Sequence, residues 1–200
     1  MDEILQLKIT LKDTKPPIWR RVLVDRNSTF AQLHYIIQIA MGWNNSHLYE
    51  FSIERKRIGI PNEELDDFDL GGGKLLDAGT EKIENIINSK KIKFGYEYDF
   101  GDGWSHLIEV EKFLPKDDKI SYPICLDGKL NCPPEDCGGV HGFYDLLEIL
   151  GDEENPDRED ALEWIGGNYN PDQFDMKMVN ADLKSLDQFM KDDQEEEEEL

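Results

Sequence analysis

One stretch constrains this chain more than any other: Tyr96-Glu97-Tyr98-Asp99-Phe100-Gly101-Asp102-Gly103-Trp104-Ser105-His106. Ile92, Phe94, Tyr96, Tyr98 and Phe100 fall at every second position, with Lys93, Glu97 and Asp99 between them. Successive side chains of a strand point to opposite faces, so this period of two predicts a strand with one aromatic face. Gly101 and Gly103 then interrupt the run around Asp102, and glycine supplies the positive φ that tight turns between strands often need. Alternation resumes with Trp104, His106, Ile108 and Val110 on one face and Leu107, Glu109 and Glu111 on the other. The prediction is a β-hairpin with a large aromatic face to bury and with Asp99, Asp102 and His106 near its tip.

That face needs an apolar partner. Phe30, Leu33, Ile36, Ile37, Ala40 and Met41 recur at helical spacing behind Ser28 or Thr29 as cap, and Gly42 ends the run. Tyr98 and Trp104 are expected to pack on this helix. Ile4–Leu11 and Ile18–Val24 read as strands on either side of Pro16-Pro17, and 48–53 and 57–60 read as two more. Residues 61–80, acidic and containing Gly71-Gly72-Gly73, read as a long mobile loop. Helical patterns follow at 143–150, 158–165 and beyond Asn180. Strands, one long helix, more strands and then short helices predict an α+β fold: a mainly antiparallel sheet packed by one long amphipathic helix, with short helices toward the C-terminus. Two hundred residues suffice for one such domain. The expected division is a single domain over 1–186 and a disordered acidic tail over 187–200.

The net charge of −22 is uneven. Residues 61–70, 151–160 and 187–200 carry −5, −5 and −7, whereas residues 15–57 carry +4. A polyanion is repelled by the whole and faced by one basic segment at most, so nucleic acid is not an expected partner. No apolar run approaches the ~20 residues of a membrane helix, and the N-terminus has no secretory pattern. A soluble, cytoplasmic protein with its three cysteines reduced is expected.

Asp99, Asp102 and His106, with Glu135, are the candidates for acid/base chemistry, because a hairpin tip holds such groups rigidly. Asp-Gly is also ordinary turn chemistry, and His106 shares its parity with Trp104, so a structural role is the competing reading. Cys125, Cys132, Cys137 and His141 offer four zinc ligands at spacings of seven, five and four. Zinc knuckles pair cysteines two to four residues apart, and no such pair exists here. No cofactor is expected, a structural zinc at this quartet being the one exception considered. Glu135 and Asp136 offer carboxylates to an arginine, and of Arg20 and Arg21 only one can face a given side of its strand. Gly71-Gly72-Gly73-Lys74 lacks the spacing of a phosphate loop.

Three motifs carry a resemblance. The first is Thr29-Phe30-x-x-Leu33-His34-x-x-Ile37-Gln38-x-Ala40-Met41-Gly42-Trp43 with His47-Leu48-Tyr49-x-Phe51; the second is Tyr96-x-Tyr98-Asp99-Phe100-Gly101-Asp102-x-Trp104-x-His106; the third is Cys132-Pro133-Pro134-Glu135-Asp136-Cys137-Gly138-Gly139. From about Ile4 to about Phe174 the chain resembles the Ri-plasmid open-reading-frame-three-like family, whose members are also labelled insertion-element passengers of TnpR type. The resemblance implies a compact α+β domain sometimes associated with mobile DNA, and it brings no activity with it.

The functional expectation is a binding or adaptor domain for a protein or small ligand. Its surface would be a groove beside the aromatic hairpin and the Pro-Pro-Glu-Asp loop, with Arg20, Tyr98, Trp104, Glu135 and Asp136 as binding residues. The alternative is a metal-assisted or acid/base hydrolase worked by Asp99, Asp102, His106 and Glu135.

Overall fold

A computed structural model describes residues 3–61 and 75–198. One sheet of eight strands organises them: β1 (Glu3–Leu11), β2 (Trp19–Asp25), β3 (Tyr49–Ile53), β4 (Lys56–Gly59), β5 (Leu75–Asp77), β6 (Lys93–Tyr98), β7 (Trp104–Pro115) and β8 (Ile124–Lys129). Their order across the sheet is β5-β4-β3-β6-β7-β1-β2-β8. The helices are α1 (Phe30–Met41), α2 (Ile83–Ile86), α3 (Gly139–Gly151), α4 (Arg158–Trp164), α5 (Met176–Leu183) and α6 (Leu186–Glu198).

Strand parity sorts the side chains onto two different faces. Ile58, Phe51, Tyr96, His106 and Leu11 are register partners in one row across five strands, and all are buried. Tyr49, Tyr98 and Trp104 form the next row. The opposite parity gives a charged row, Asp127-Arg21-Lys8-Glu109-Lys93. There Arg21 pairs with Glu111 at 2.8 Å, and Lys93 pairs with Glu109. One face is therefore core and the other is solvated, as antiparallel sheets allow.

The expected mainly antiparallel sheet under one long amphipathic helix is corrected in both parts. The sheet is mixed, because β5 runs parallel to β4. Antiparallel neighbours need only a tight turn, whereas a parallel pair needs a crossover of a dozen residues or more. The stretch between β4 and β5 is long enough for one. Of the acidic glycine-rich loop expected over 61–80, residues 62–74 lie outside the described residues, and 75–77 are strand.

Among the described residues no single long helix covers the sheet either. Thr29 and Gln32 close a reciprocal capping box at the start of α1, and Gly42 stops the helix after twelve residues in the left-handed conformation, φ 96°. Twelve residues span about 18 Å, and eight strands at about 4.8 Å spacing span about 34 Å. The C-terminal helices supply the remaining cover: Val179, Leu183 and Leu186 join the same core as Leu33 and Ile37. Residue 187, the expected start of a disordered tail, falls in the first turn of α6. That helix sets Phe189 edge-on to Tyr35, with ring centroids 6.0 Å apart. No helix among the described residues is long and apolar enough to cross a membrane.

Candidate functional site

Three loops meet at one end of the buried face: Gly42–Leu48 after α1, Asp99–Gly103 between β6 and β7, and Asn131–Gly138 after β8. Asp99 Oδ1 accepts the backbone N–H of Gly101 at 2.9 Å and of Asp102 at 3.3 Å, which shapes the turn. Asp102 Oδ2 in turn accepts the Gly138 N–H at 3.0 Å. A Cβ on Gly139, whose φ is +69°, would sit 2.4 Å from the Asp102 carbonyl oxygen. Only glycine allows that close approach of the turn to the third loop.

The Pro-Pro-Glu-Asp loop packs against the aromatic hairpin. Trp43 Nε1 donates to the Pro133 carbonyl at 3.0 Å, and its ring stacks on Tyr98 with centroids 5.1 Å apart. The Tyr98 hydroxyl donates to Glu135 and accepts the Ser46 N–H at 3.0 Å. The other Glu135 oxygen accepts the Asn44 N–H at 3.0 Å. Burial, and then the adjoining Glu135 carboxylate, push the Tyr98 phenol above its ordinary range.

The sequence candidates separate accordingly. Tyr98 and Trp104 are buried as expected, with Trp43 rather than α1 itself as their nearest ring. Arg20 is 2 % exposed and meets neither Glu135 nor Asp136. It donates to the carbonyls of Ala40 at 2.7 Å, Trp19 at 2.9 Å and Lys129 at 3.1 Å, and lies 4.3 Å from the Phe174 ring centroid. Burial lowers its pKa. Trp104 and Arg20 are thus core residues rather than contact surface.

His106 is fully buried between Trp43 and Tyr96, and among the described residues neither ring nitrogen makes a hydrogen bond of good geometry, the backbone of Trp104 and Tyr96 offering only poor contacts. The backbone of Trp104 and Tyr96 lies near the ring and favours its charged form, but burial dominates and lowers the pKa to about 3. His34, with a pKa also lowered to about 3 by burial, is fully engaged. Gln38 donates to the Tyr96 hydroxyl, Tyr96 to His34 Nδ1, His34 Nε2 to Asn45, and Asn45 to Asp193. One direction of donation runs through the whole chain of bonds and fixes the tautomer.

The cysteine quartet does not assemble. Cys125 and Cys132 are buried and Cys137 is half-buried, whereas His141 is exposed on α3 and pairs with Asp145 at 3.0 Å. Burial raises all three thiols, Cys137 to about 12. Among the described residues, the His, Cys, Asp and Glu side chains that could together hold a metal ion are His47, Asp99 and Asp136. His47 was not singled out as a ligand from sequence, although it stands in the first motif. Its partners sit in the other two motifs, so only the fold joins them.

The same three loops lie within the region shared with known proteins. The model of the plasmid pRiA4b ORF-3-like protein family matches residues 3–178. The uncharacterized protein y4hQ of Sinorhizobium fredii (strain NBRC 101917 / NGR234) is 37% identical over 185 residues, 92% of each chain. The crystal structure of a protein of unknown function, MM3350 from Methanosarcina mazei Go1, superposes with a TM-score of 0.78 at 35% identity, covering 88% of this chain and 97% of that one. Motifs, fold and matched span agree: this chain belongs to the plasmid pRiA4b ORF-3-like family.

Proposed function

We propose that this chain is a binding module that recognises a basic segment of a partner protein with the three-loop end of its sheet. The observation that carries the reading is an exposed apolar residue on each of two of these loops: Leu48 is 51% and Phe100 55% exposed. They adjoin His47 and Asp99 in sequence, and the Asp99 N–H donates to the Leu48 carbonyl at 2.9 Å, which ties the two loops together. Apolar anchors beside a polar rim are the composition of a recognition surface. The exposed Asp136 carboxylate and the net charge of −22 set the sign of the partner.

The hydrolase reading keeps less support. Of its four residues, His106 is sealed in the core, both Glu135 oxygens accept hydrogen bonds, and Asp102 holds Gly138.

The test is a fluorescence-polarisation screen of basic peptides carrying one Leu or aromatic anchor, run on the wild type and a Leu48→Ser/Phe100→Ser variant. Expected is micromolar binding that weakens with salt and falls at least tenfold in the variant, about 1.4 kcal/mol. Equal binding by the variant, or no peptide bound below about 1 mM, would refute the reading.

A further inference from the structure

We propose that His47, Asp99 and Asp136 bind one divalent transition-metal ion of the zinc class. His47 Nε2 lies 2.9 Å from an oxygen of Asp136 and 3.6 Å from Oδ2 of Asp99. One ligand atom from each residue falls within 4.8 Å of the others. Around an ion with bonds of about 2.0–2.2 Å, neighbouring donors stand roughly 3.0–3.6 Å apart. The two separations from His47 already sit near the spacing that an ion imposes, and the two carboxylates lie within 4.8 Å of each other.

The way the Asp99 carboxylate is held points to the same ligand independently of that spacing. Asp99 is 7% exposed. Its Oδ1 takes two backbone N–H groups, whereas Oδ2 receives no hydrogen bond from any described residue and faces His47 at 3.6 Å. Oδ2 is thereby left open on the side of His47, where a cation held by the imidazole would meet it. The two bonds to Oδ1 hold the carboxylate in orientation, as outer-shell partners of metal ligands do.

The donor set chooses the ion. Calcium takes six to eight oxygens and magnesium prefers oxygens and water, whereas one imidazole with two carboxylates suits zinc and its first-row neighbours. His47 Nε2 and Asp136 share a proton across their 2.9 Å contact, and the ion takes that proton's place. The Asp136 side chain is 65% exposed, so the site opens to solvent and leaves a coordination position for water or an incoming donor. The ion would clasp all three loops, because each supplies one ligand. This site does not rest on the peptide-binding reading.

The test uses the full chain stripped of metal, titrated with Zn2+ by calorimetry in excess Mg2+ to occupy the acidic segments, and with Co2+ by visible absorption. Expected is one equivalent of Zn2+ bound at micromolar or lower concentration, with ligand-field bands in the Co2+ form. His47→Gln and Asp99→Asn should each weaken binding at least about tenfold, and Asp145→Asn at the exposed His141 pair should not. Asp136→Asn, on an exposed side chain, serves where Asp99→Asn fails to fold by near-ultraviolet dichroism. Absence of stoichiometric binding would overturn the proposal. So would binding kept by the His47 and Asp136 variants, or binding lost instead in Cys137→Ser.

Discussion

Replacing His106 by leucine should make this protein less sensitive to acid without unfolding it at neutral pH. The unfolded chain takes up a proton at an ordinary histidine pKa of about 6.5, and the native state refuses it until about pH 3. The unfolded state therefore binds more protons throughout that window, and stability falls as pH drops from 6.5 toward 3. Linkage puts the loss from His106 at roughly 2 kcal/mol between pH 7 and pH 5. His34, held to about 3 by the same burial, loses a similar amount in the wild type and in the variant.

At pH 7 the balance is different. A neutral imidazole carries one N–H, and among the described residues neither His106 nitrogen has a well-formed hydrogen bond; a buried donor left unmade costs about 1–3 kcal/mol. Leucine of similar volume removes that cost while giving up the ring contacts with Trp43 and Tyr96. His106→Leu should then lie within about 1 kcal/mol of the wild type at pH 7 and about 2 kcal/mol above it at pH 5. Urea denaturation followed by tryptophan fluorescence measures both, since Trp43 and Trp104 report on this part of the core. An unchanged pH slope would show that His106 is not held neutral by burial. A loss above about 3 kcal/mol at pH 7 would show that the ring has a partner worth keeping.

Two further outcomes are expected. Ending the chain after Leu186 should lower stability by about 2 kcal/mol, because Asp193 accepts from Tyr35 and Asn45 and Phe189 packs on Tyr35; ending it after Asp193 should leave the thermal midpoint unchanged, and equal midpoints for the two truncations would contradict this. Duplex and single-stranded oligonucleotides should bind no tighter than roughly 10 μM at physiological salt, because Arg20 is buried and Arg21, Arg26 and Arg57 are paired with Glu111, Glu3 and Glu50; sub-micromolar, salt-sensitive titration curves would contradict it.

How far the fold could be read from sequence depended on whether a segment's chemistry repeats. The β6–β7 hairpin and α1 could be read because several residues at a fixed period all report the same buried face. Helix α1 also carries its own start and stop at Thr29 and Gly42. Strand β5 could not. Leu75-Leu76-Asp77 is three residues long, has no alternation, and follows a glycine and acid run that argues for loop. Its place comes from pairing with β4, a non-local contact that local pattern does not encode. Helix α6 is similar: its composition is that of a solvated tail, and the few side chains that dock it, Phe189 and Asp193, are recognisable only beside Tyr35 and Asn45.

For the site, parity told which face a polar residue is on and nothing about what it meets there. His106 shares its parity with Trp104, His34 follows Leu33 on the buried helix α1, and both are buried. His34 is fully hydrogen-bonded and His106 makes no well-formed hydrogen bond among the described residues, a difference set by residues 11 to 62 positions away for His34. The three carboxylates nearest the hairpin tip divided in the same way. Asp102 became a tie to Gly138, Glu135 became the acceptor for Tyr98, and Asp99 holds its own turn through one oxygen while the other faces His47. That histidine comes from another loop. A residue type at a turn therefore marks where chemistry is affordable in conformational terms, and the atom left open, visible only once every partner is in place, marks where a ligand has something to do.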